Sequence, residues 1–363
     1  MLPAVWDAMR PYLAESHGNP ASAHQVGRRA RQALEIARER TAALLDADPD
    51  EVIFASGATE ANNLAIFGLA GDPPARLACS TIEHPCVVEP IRELERRGFT
   101  VDWLPVDATG QARVESLSAD VRLLCLMLAN HETGAIQPIA DCNLQFAICK
   151  LPAAVHCDAA QAVGKISVRF HELGVTTLSL SAHKFHGPQG IGALLVRRGT
   201  KLRPMLLGGH QQRGRRPGTE PVPLAVGLAA ALELAERERE SHWAKVTRLR
   251  SRLLAHLRHH VSPVVLNGPE TGGLPHALNL SFPGCQSDTL LMNLDLAGVA
   301  CSTGSACSSG SLLPSPVLQA MGVPPDVLRS AMRFSFSALL SEAEIDEAGR
   351  RIASVVNRLR SPK

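Results

Sequence analysis

Two short apolar runs flank a histidine and a lysine in the stretch TTLSLSAHKFHGPQGIGALLV, residues 176–196. Runs of this length and composition are typical of buried strands, and the Gly-Pro pair predicts a turn between them. Lys184 would then follow the first strand. Lysine is rarely buried without a partner or a function, and a desolvated lysine amine is the group that forms Schiff bases. A surface lysine at a strand end is the alternative for this stretch alone.

The sequence around this stretch predicts a mainly parallel α/β sheet. The block RRARQALEIARERTAALL has the apolar spacing of a helix. Further short apolar runs of strand length are EVIFAS, RLACSTI, VRLLCLMLA and AAVHCDA. Short strands that are buried on both faces and separated by helices indicate a parallel sheet.

A long helix after the sheet region predicts two domains. The segment LAVGLAAALELAERERESHWAKVTRLRSRLLAHLRHH changes from apolar to charged along its length, as expected of a helix that leaves one domain and enters another. We place the boundary near Ser241, between a large domain of residues 1–240 and a smaller α+β domain of residues 241–363. The smaller domain contains two predicted strands, HALNLSF and AMRFSFS, a helix in SDTLLMNLDLAG, and a final helix capped by Ser341.

Composition excludes several classes of function. Among 363 residues, 37 are basic and 35 acidic, which leaves a net charge of +2 and no general attraction to nucleic acid or to a membrane surface. The longest apolar stretch, residues 224–235, is too short to span a bilayer, and the first residues do not resemble a signal peptide. We therefore expect a soluble, cytoplasmic protein. Nine irregularly spaced cysteines predict reduced thiols and no metal site.

Polar residues that directly follow apolar runs are the candidate site, because ligands of such sheets bind beyond the carboxyl ends of the strands. Residues 56–59, SGAT, precede a helix and could bind a phosphate, or could be only a tight turn. Asp158 ends a strand and could face a protonated ring nitrogen, or could cap a turn. His84 could be structural. Together with Lys184, these residues form the set that pyridoxal phosphate requires.

The chain resembles the class V aminotransferase family, in particular its cysteine desulfurase branch. The matching segments cover most of the chain: GNPASAHQVGRRA, SGATEANNLAI, EHPCVV, NHETGAIQP, HCDAAQAVGK, SAHKFHGPQGIGAL, GGHQQRGRRPGTEPV and STGSACSSGSLLPSPVL. The resemblance implies the fold of type I pyridoxal-phosphate-dependent transferases. It also implies a homodimer with its active sites at the subunit interface.

The resemblance also implies roles for individual residues around the cofactor. Lys184 matches the family's Schiff-base lysine, and Asp158 matches the carboxylate that keeps the pyridine nitrogen protonated. His84 matches the histidine that stacks on the ring and moves protons. The other residues that match cofactor contacts are Ala58, Thr59, Ser181 and His183 for the phosphate, Thr219 for the phosphate of the other subunit, and Gln161 for the ring hydroxyl.

The substrate residues follow from the same resemblance. Arg333 matches the arginine that binds the substrate carboxylate, and Cys307 matches the catalytic cysteine. The implied reaction converts L-cysteine to L-alanine and leaves a persulfide on Cys307. A protein acceptor, such as an iron–sulfur scaffold or a thio-modification enzyme, would then take the sulfur. The Ser/Gly-rich segment around Cys307 would let the thiol reach both partners.

Three departures from the family pattern qualify these expectations. The family's strand and Thr-rich turn before the first helix have no counterpart here, which leaves a catalytically impaired binding subunit as an alternative. His131 stands where the family has an asparagine, and we still expect it to contact the cofactor. The segment DCNLQFAICKLPAAV lacks the usual helix end and predicts an irregular surface connection. A selenocysteine lyase and an aminotransferase are further alternatives on the same fold.

Overall fold

A computed structural model describes residues 1–14, 18–114, 117–148, 154–304 and 314–361. In this part of the chain the helices are α1 (Pro3–Ala14), α2 (Gln25–Leu44), α3 (Ala58–Ala70), α4 (Pro85–Arg96), α5 (Ile139–Ile148), α6 (Phe170–Leu173), α7 (Val222–His260), α8 (Ser287–Leu296), α9 (Pro316–Ala320), α10 (Pro325–Leu328) and α11 (Glu342–Arg360). The strands are β1 (Val52–Ala55), β2 (Arg76–Ser80), β3 (Thr100–Leu104), β4 (Val121–Cys125), β5 (Ala154–Asp158), β6 (Thr177–Ser181), β7 (Gly192–Val196), β8 (Val265–Leu266), β9 (Ala277–Ser281) and β10 (Ala331–Ser335).

Seven strands form one sheet in the order β1-β7-β6-β5-β4-β2-β3, and the predicted mainly parallel sheet is confirmed. Only β7 runs against its neighbours β6 and β1. The connection between β6 and β7, residues 182–191, is too short for a parallel crossover, so the chain must turn back. The turn that carries Lys184 therefore lies at the carboxyl end of β6.

Helices pack on the strands of the sheet. Helix α3 packs against β4, β5, β6 and β7, α4 packs against β2 and β3, and α7 packs against α1 and α2. The residues of β6 and β7 are all buried, although only β7 is apolar throughout. β3, which the sequence analysis missed, lies at the sheet edge and is only partly buried, so it lacks a continuous apolar run.

The C-terminal region forms a second core around an antiparallel sheet, β10-β9-β8. Leu280, Phe282 and Phe334 are buried there against α7, α8 and α11. Helix α7 contributes to both cores: it packs on the large one as far as Trp243 and on the second from Val246 onward. A domain boundary near Ser241 stays a prediction, since α7 is continuous through that residue.

The predicted cap of the last helix is confirmed. Ser341 Oγ accepts a hydrogen bond from the amide of Glu344 at 3.3 Å, and the Glu344 carboxylate accepts one from the amide of Ser341 at 2.7 Å. This reciprocal pair is a capping box, which satisfies two amides that would otherwise lack partners at the helix start. No helix in the described ranges has both the length and the apolar character needed to cross a bilayer.

The predicted irregular connection in DCNLQFAICKLPAAV is wrong for residues 141–148, which belong to α5. Ile139 and Cys142 lie about one turn apart and are both buried in the large core. Asn143 Nδ2 donates a hydrogen bond to the carbonyl oxygen of Leu173 at 2.6 Å. Helical spacing and these anchors outweigh the missing charged helix end. Residues 149–153 lie outside the described residues.

Candidate active site

The turn between β6 and β7 forms one wall of a cavity of about 400 Å³. Ala182–Phe185 form a single turn of 3-10 helix that ends at His186, whose φ of 64° is left-handed. Lys184 lies in this turn with an exposed side chain and lines the cavity. Cavities of this size, at the carboxyl ends of parallel strands, are typical of ligand sites.

A second lysine lies behind this turn, and the sequence analysis missed it. Lys165 Nζ donates a hydrogen bond to the carbonyl oxygen of Lys184 at 3.1 Å. Burial and the nearby charge of Lys184 lower the pKa of Lys165 to about 7. Its position at the end of HCDAAQAVGK gave no signal, because only the folded chain brings it next to Lys184.

Asp158 lies at the end of β5 and is buried. Its Oδ2 accepts a hydrogen bond from Asn62 Nδ2 at 2.8 Å, and its Oδ1 accepts one from the amide of Ala160 at 2.9 Å. The carboxylate thus braces the following turn, as the capping alternative expects, and it also lines the cavity, where a contact with a ring nitrogen stays a prediction. Asn62, on α3, is a second residue that the sequence analysis missed.

The turn before α3 also lines the cavity, to which residues 56–59 contribute. The first amides of this 13-residue helix have no partner inside the helix and attract anions. A Cβ atom at Gly192 would lie 2.8 Å from Cα of Gly57. Glycine at the start of β7 thus lets the turn approach Ser181, whose Oγ lies 2.9 Å from Nδ1 of His183.

Two histidines contact each other in the cavity wall. His84 is the N-cap of α4, and its ring centroid lies 5.1 Å from that of His131 at an interplanar angle of 71°. Burial lowers the pKa of both rings, that of His131 strongly. Nδ1 of His131 is buried without a hydrogen-bond partner among the described residues. Such an atom is costly unless a ligand satisfies it.

Of two further predicted residues, Gln161 belongs to the cavity lining and Arg333 does not. Gln161 lines the cavity, and its Oε1 lies 3.0 Å from Nε2 of His276. Arg333, on β10, donates from Nη1 to the carbonyl oxygen of His131 at 3.2 Å. Its Nε is buried and has no partner in the described part of the chain. The structure thus brings β10 of the second core to the wall that carries His131.

Besides Arg333, two predicted site residues are not placed in this cavity. Thr219 is exposed on the loop before α7 and does not line it. Cys307 lies outside the described residues. Gly304 and Ser315, which precede and follow residues 305–313, both approach Glu132. The Ser315 hydroxyl donates a hydrogen bond to Glu132 Oε2 at 2.6 Å. A Cβ atom at Gly304 would collide with the same oxygen. Burial raises the pKa of Glu132 to about 7.

The residues of this cavity fit pyridoxal phosphate. A buried carboxylate suits a protonated ring nitrogen, free helix amides suit a phosphate, and an exposed lysine suits an aldehyde. The orphaned Nδ1 of His131 further requires a polar partner. The residues that would hold the cofactor are Ala58, Thr59, His84, His131, Asp158, Gln161, Ser181, His183 and Lys184, all of which line the cavity.

Comparison with known proteins gives one family. The sequence model described as "Aminotransferase class-V" matches residues 1–347. A "Cysteine desulfurase IscS" of Dictyoglomus turgidum is 40% identical over 364 residues, which cover 98% of this chain and 92% of that protein. A "Cysteine desulfurase" of Homo sapiens is 42% identical over 369 residues, which cover 99% of this chain and 80% of that protein.

Solved structures agree with this similarity. A "NifS-like protein" superposes with a TM-score of 0.93 at 34% identity, covering 99% of this chain and 96% of that chain. A second structure, titled "SspA in complex with cysteine", gives a TM-score of 0.81 at 33% identity and covers 93% of this chain and 96% of that chain. The predicted fold class is therefore confirmed.

Proposed function

Because the chain belongs to the class V aminotransferase family, we propose that it is a pyridoxal-phosphate-dependent cysteine desulfurase, which converts L-cysteine to L-alanine. The observation that carries this proposal is the convergence of Lys184, Asp158 and the start of α3 on one cavity. The SspA structure holds cysteine, which supports L-cysteine as the substrate of this related site.

The residues around the cavity divide the chemistry among them. The cofactor, when bound, supplies an electron sink for negative charge that develops beside the substrate nitrogen. Asp158 would keep a proton on the ring nitrogen that faces it. Lys184 Nζ would take the proton from the substrate α-carbon. The amides of Ala58 and Thr59, with Ser181 and His183, would bind the phosphate.

Substrate binding and sulfur transfer are assigned to two residues of the C-terminal part of the sequence. Arg333 would bind the substrate carboxylate, because a planar guanidinium can donate two parallel hydrogen bonds. The thiolate of Cys307 would attack the substrate sulfur, so that an S–S bond forms and the C–S bond of the substrate breaks, with its electron pair left on carbon. The persulfide then passes its sulfur to an acceptor thiol.

The wider assignments are a homodimer, a protein acceptor such as an iron–sulfur scaffold, and a cytoplasmic location. Thr219 and Leu207 support the homodimer, since both are exposed on one loop and Thr219 does not line the cavity of its own chain. The net charge of +2 supports a protein acceptor over direct binding of nucleic acid. The odd number of nine cysteines supports a reducing compartment.

The test compares Lys184→Ala and Cys307→Ala with the wild type in the presence of pyridoxal phosphate. We expect the wild type to absorb visible light and, in the presence of a reductant, to release alanine from L-cysteine. Lys184→Ala should lose the visible band and on the order of a thousandfold of its activity. Cys307→Ala should keep the band and lose on the order of a hundredfold or more of its alanine release. Lys201→Ala, which changes an exposed lysine, is the control.

The alternatives give different outcomes in the same assay. A wild type that forms a keto acid instead of alanine would be an aminotransferase, and one that accepts only selenocysteine would be a selenocysteine lyase. Absence of the visible band from cofactor-supplemented protein would indicate a binding subunit. Each of these three results contradicts the proposal.

A further inference from the structure

The imidazole of His84 is held at one of its two nitrogens. Nδ1 accepts a hydrogen bond from the amide of Cys86 at 3.2 Å and lies 2.9 Å from Sγ of the same residue. A backbone amide can only donate, so Nδ1 carries no proton in this arrangement. The neutral ring is then protonated on Nε2, which has no partner among the residues that the structure describes.

The thiol of Cys86 has a second contact that fixes its direction. Sγ lies 3.0 Å from Nδ2 of Asn62. Asp158 sets the orientation of that amide, since its Oδ2 accepts from the same nitrogen at 2.8 Å, and Oδ1 of Asn62 faces Nε2 of His156 at 3.0 Å. The sulfur is thus the acceptor from Asn62. The side chain of Thr59 also forms a hydrogen bond with this thiol. Because Sγ lies 2.9 Å from Nδ1 of His84, we assign the thiol hydrogen to that contact.

The charges around this pair favour neutral groups. Burial raises the pKa of Cys86 to about 12, and burial lowers the pKa of His84. Among the groups that face His84, the charge of Asp158 raises its pKa, and those of Lys184 and Arg333 lower it. The pair is therefore a thiol and a neutral imidazole. A thiolate–imidazolium pair would need a proton on Nδ1, where the amide of Cys86 already donates.

We propose that Cys86 is a positioning residue for His84: its thiol and its amide together hold the ring as the Nε2–H tautomer. His84 then offers a hydrogen-bond donor to the cavity and not a lone pair. The acceptor of that N–H would be an atom of the cofactor or the substrate, and this part rests on the proposed function. The proton-accepting role then belongs to Lys184, and His84 orients and stabilises negative charge.

The test reads the two ring nitrogens directly. Cofactor-loaded, full-length protein carrying 15N-labelled histidine is studied by long-range nitrogen–proton correlation spectra, with His84→Gln to assign the signals. We expect Nε2 to be protonated and Nδ1 to be an unprotonated acceptor at neutral pH. In Cys86→Ala the Nδ1 signal should shift and the population of the Nδ1–H tautomer should grow. Cys86→Ser should restore the wild-type pattern, because a hydroxyl also donates.

Kinetics give the second readout. Loss of one net hydrogen bond predicts that kcat for alanine release falls about fivefold in Cys86→Ala, with KM changed less than about twofold. Cys86→Ser should recover most of the loss. Cys285→Ala, which removes a buried thiol from the second core, should match the wild type in the spectra and in kcat.

Two results would overturn the inference: a protonated Nδ1 in the wild type, or unchanged His84 signals in Cys86→Ala. Both can be seen whatever reaction the protein catalyses. A wild type that releases no alanine from L-cysteine would overturn the proposed function, and the nitrogen spectra would still decide the role of Cys86.

Discussion

Glu83, the neighbour of His84 in the chain, is a fully buried carboxyl group with an unequal set of partners. Its Oε1 accepts hydrogen bonds from the hydroxyl of Ser80 and the amide of Met127, each at 2.7 Å. Its Oε2 is buried with no partner in the described ranges. Burial raises the pKa of Glu83 from its ordinary 4.5 to about 8. The folded protein therefore keeps this carboxyl protonated at neutral pH.

This raised pKa predicts a pH-dependent stability. Between pH 4.5 and about 8 the unfolded chain releases a proton that the folded chain retains, so the free energy of unfolding falls as pH rises through this window. Glu83→Gln, which mimics the protonated form, should remove this loss and be more stable than the wild type near pH 8, by on the order of a few kcal/mol. Urea midpoints measured with saturating cofactor at several pH values check this.

Glu95→Gln, an exposed site on α4, is the matched control and should follow the wild type at every pH. Parallel stability curves for Glu83→Gln and the wild type would contradict a protonated Glu83.

The sequence predicted those site residues that directly follow an apolar run. Lys184, Asp158, His84 and the turn before α3 all met this condition, and the structure brings them to one cavity. Asn62 and Lys165 did not, because their hydrogen bonds reach residues 96 and 19 positions away in the chain. The contact of Cys86 with Asn62 likewise spans 24 positions. Hydrogen bonds between residues far apart in the chain leave no periodic signal.

At the scale of elements, buried strands and capped helices were predictable, and elements with mixed exposure were not. β6 and β7 are buried throughout, whereas β3 lies at the sheet edge and carries the half-exposed Asp102. α5 was missed because its ends carry no recognisable cap, although two buried side chains anchor it. Helix caps and apolar periodicity thus predicted the elements of the core. The other elements depend on tertiary contacts that the sequence pattern does not show.

The capping box of α11 gives a prediction at this scale. Ser341→Ala removes the acceptor for the Glu344 amide and the partner of the Glu344 side chain, and should lower the free energy of unfolding by about 1 kcal/mol. Urea denaturation measures this change. Ser251→Ala, at an exposed position inside α7, is the control and should be neutral or slightly stabilising, since alanine favours helices. Equal effects of the two substitutions would contradict the role of the cap.

At the scale of the whole molecule, the loop before α7 predicts how two copies associate. Leu207 is 91% exposed on the loop that also carries Thr219. If this loop packs on a second copy, Leu207→Asp should shift the protein toward monomers, because a buried unpaired charge is costly. Sedimentation velocity measures the change. Leu296→Asp, at an 85% exposed leucine on α8, is the control and should remain dimeric.

A monomeric wild type, or a Leu207→Asp protein that stays dimeric at low concentration, would contradict this interface. The sequence alone indicated association only through family resemblance, because exposure of a single leucine cannot be read from composition.

Helix α7 joins the two cores without a break over its 39 residues, a length of roughly 58 Å at the helical rise. The number of residues in α7 therefore sets the rotation of one core relative to the other about the helix axis, as well as the distance between the cores. One residue added between Trp243 and Val246 would rotate everything beyond it by about 100° and advance it by about 1.5 Å. Arg333 would then leave the wall that carries His131. Side chains on the exposed face of α7 can vary freely, but its length between the cores cannot.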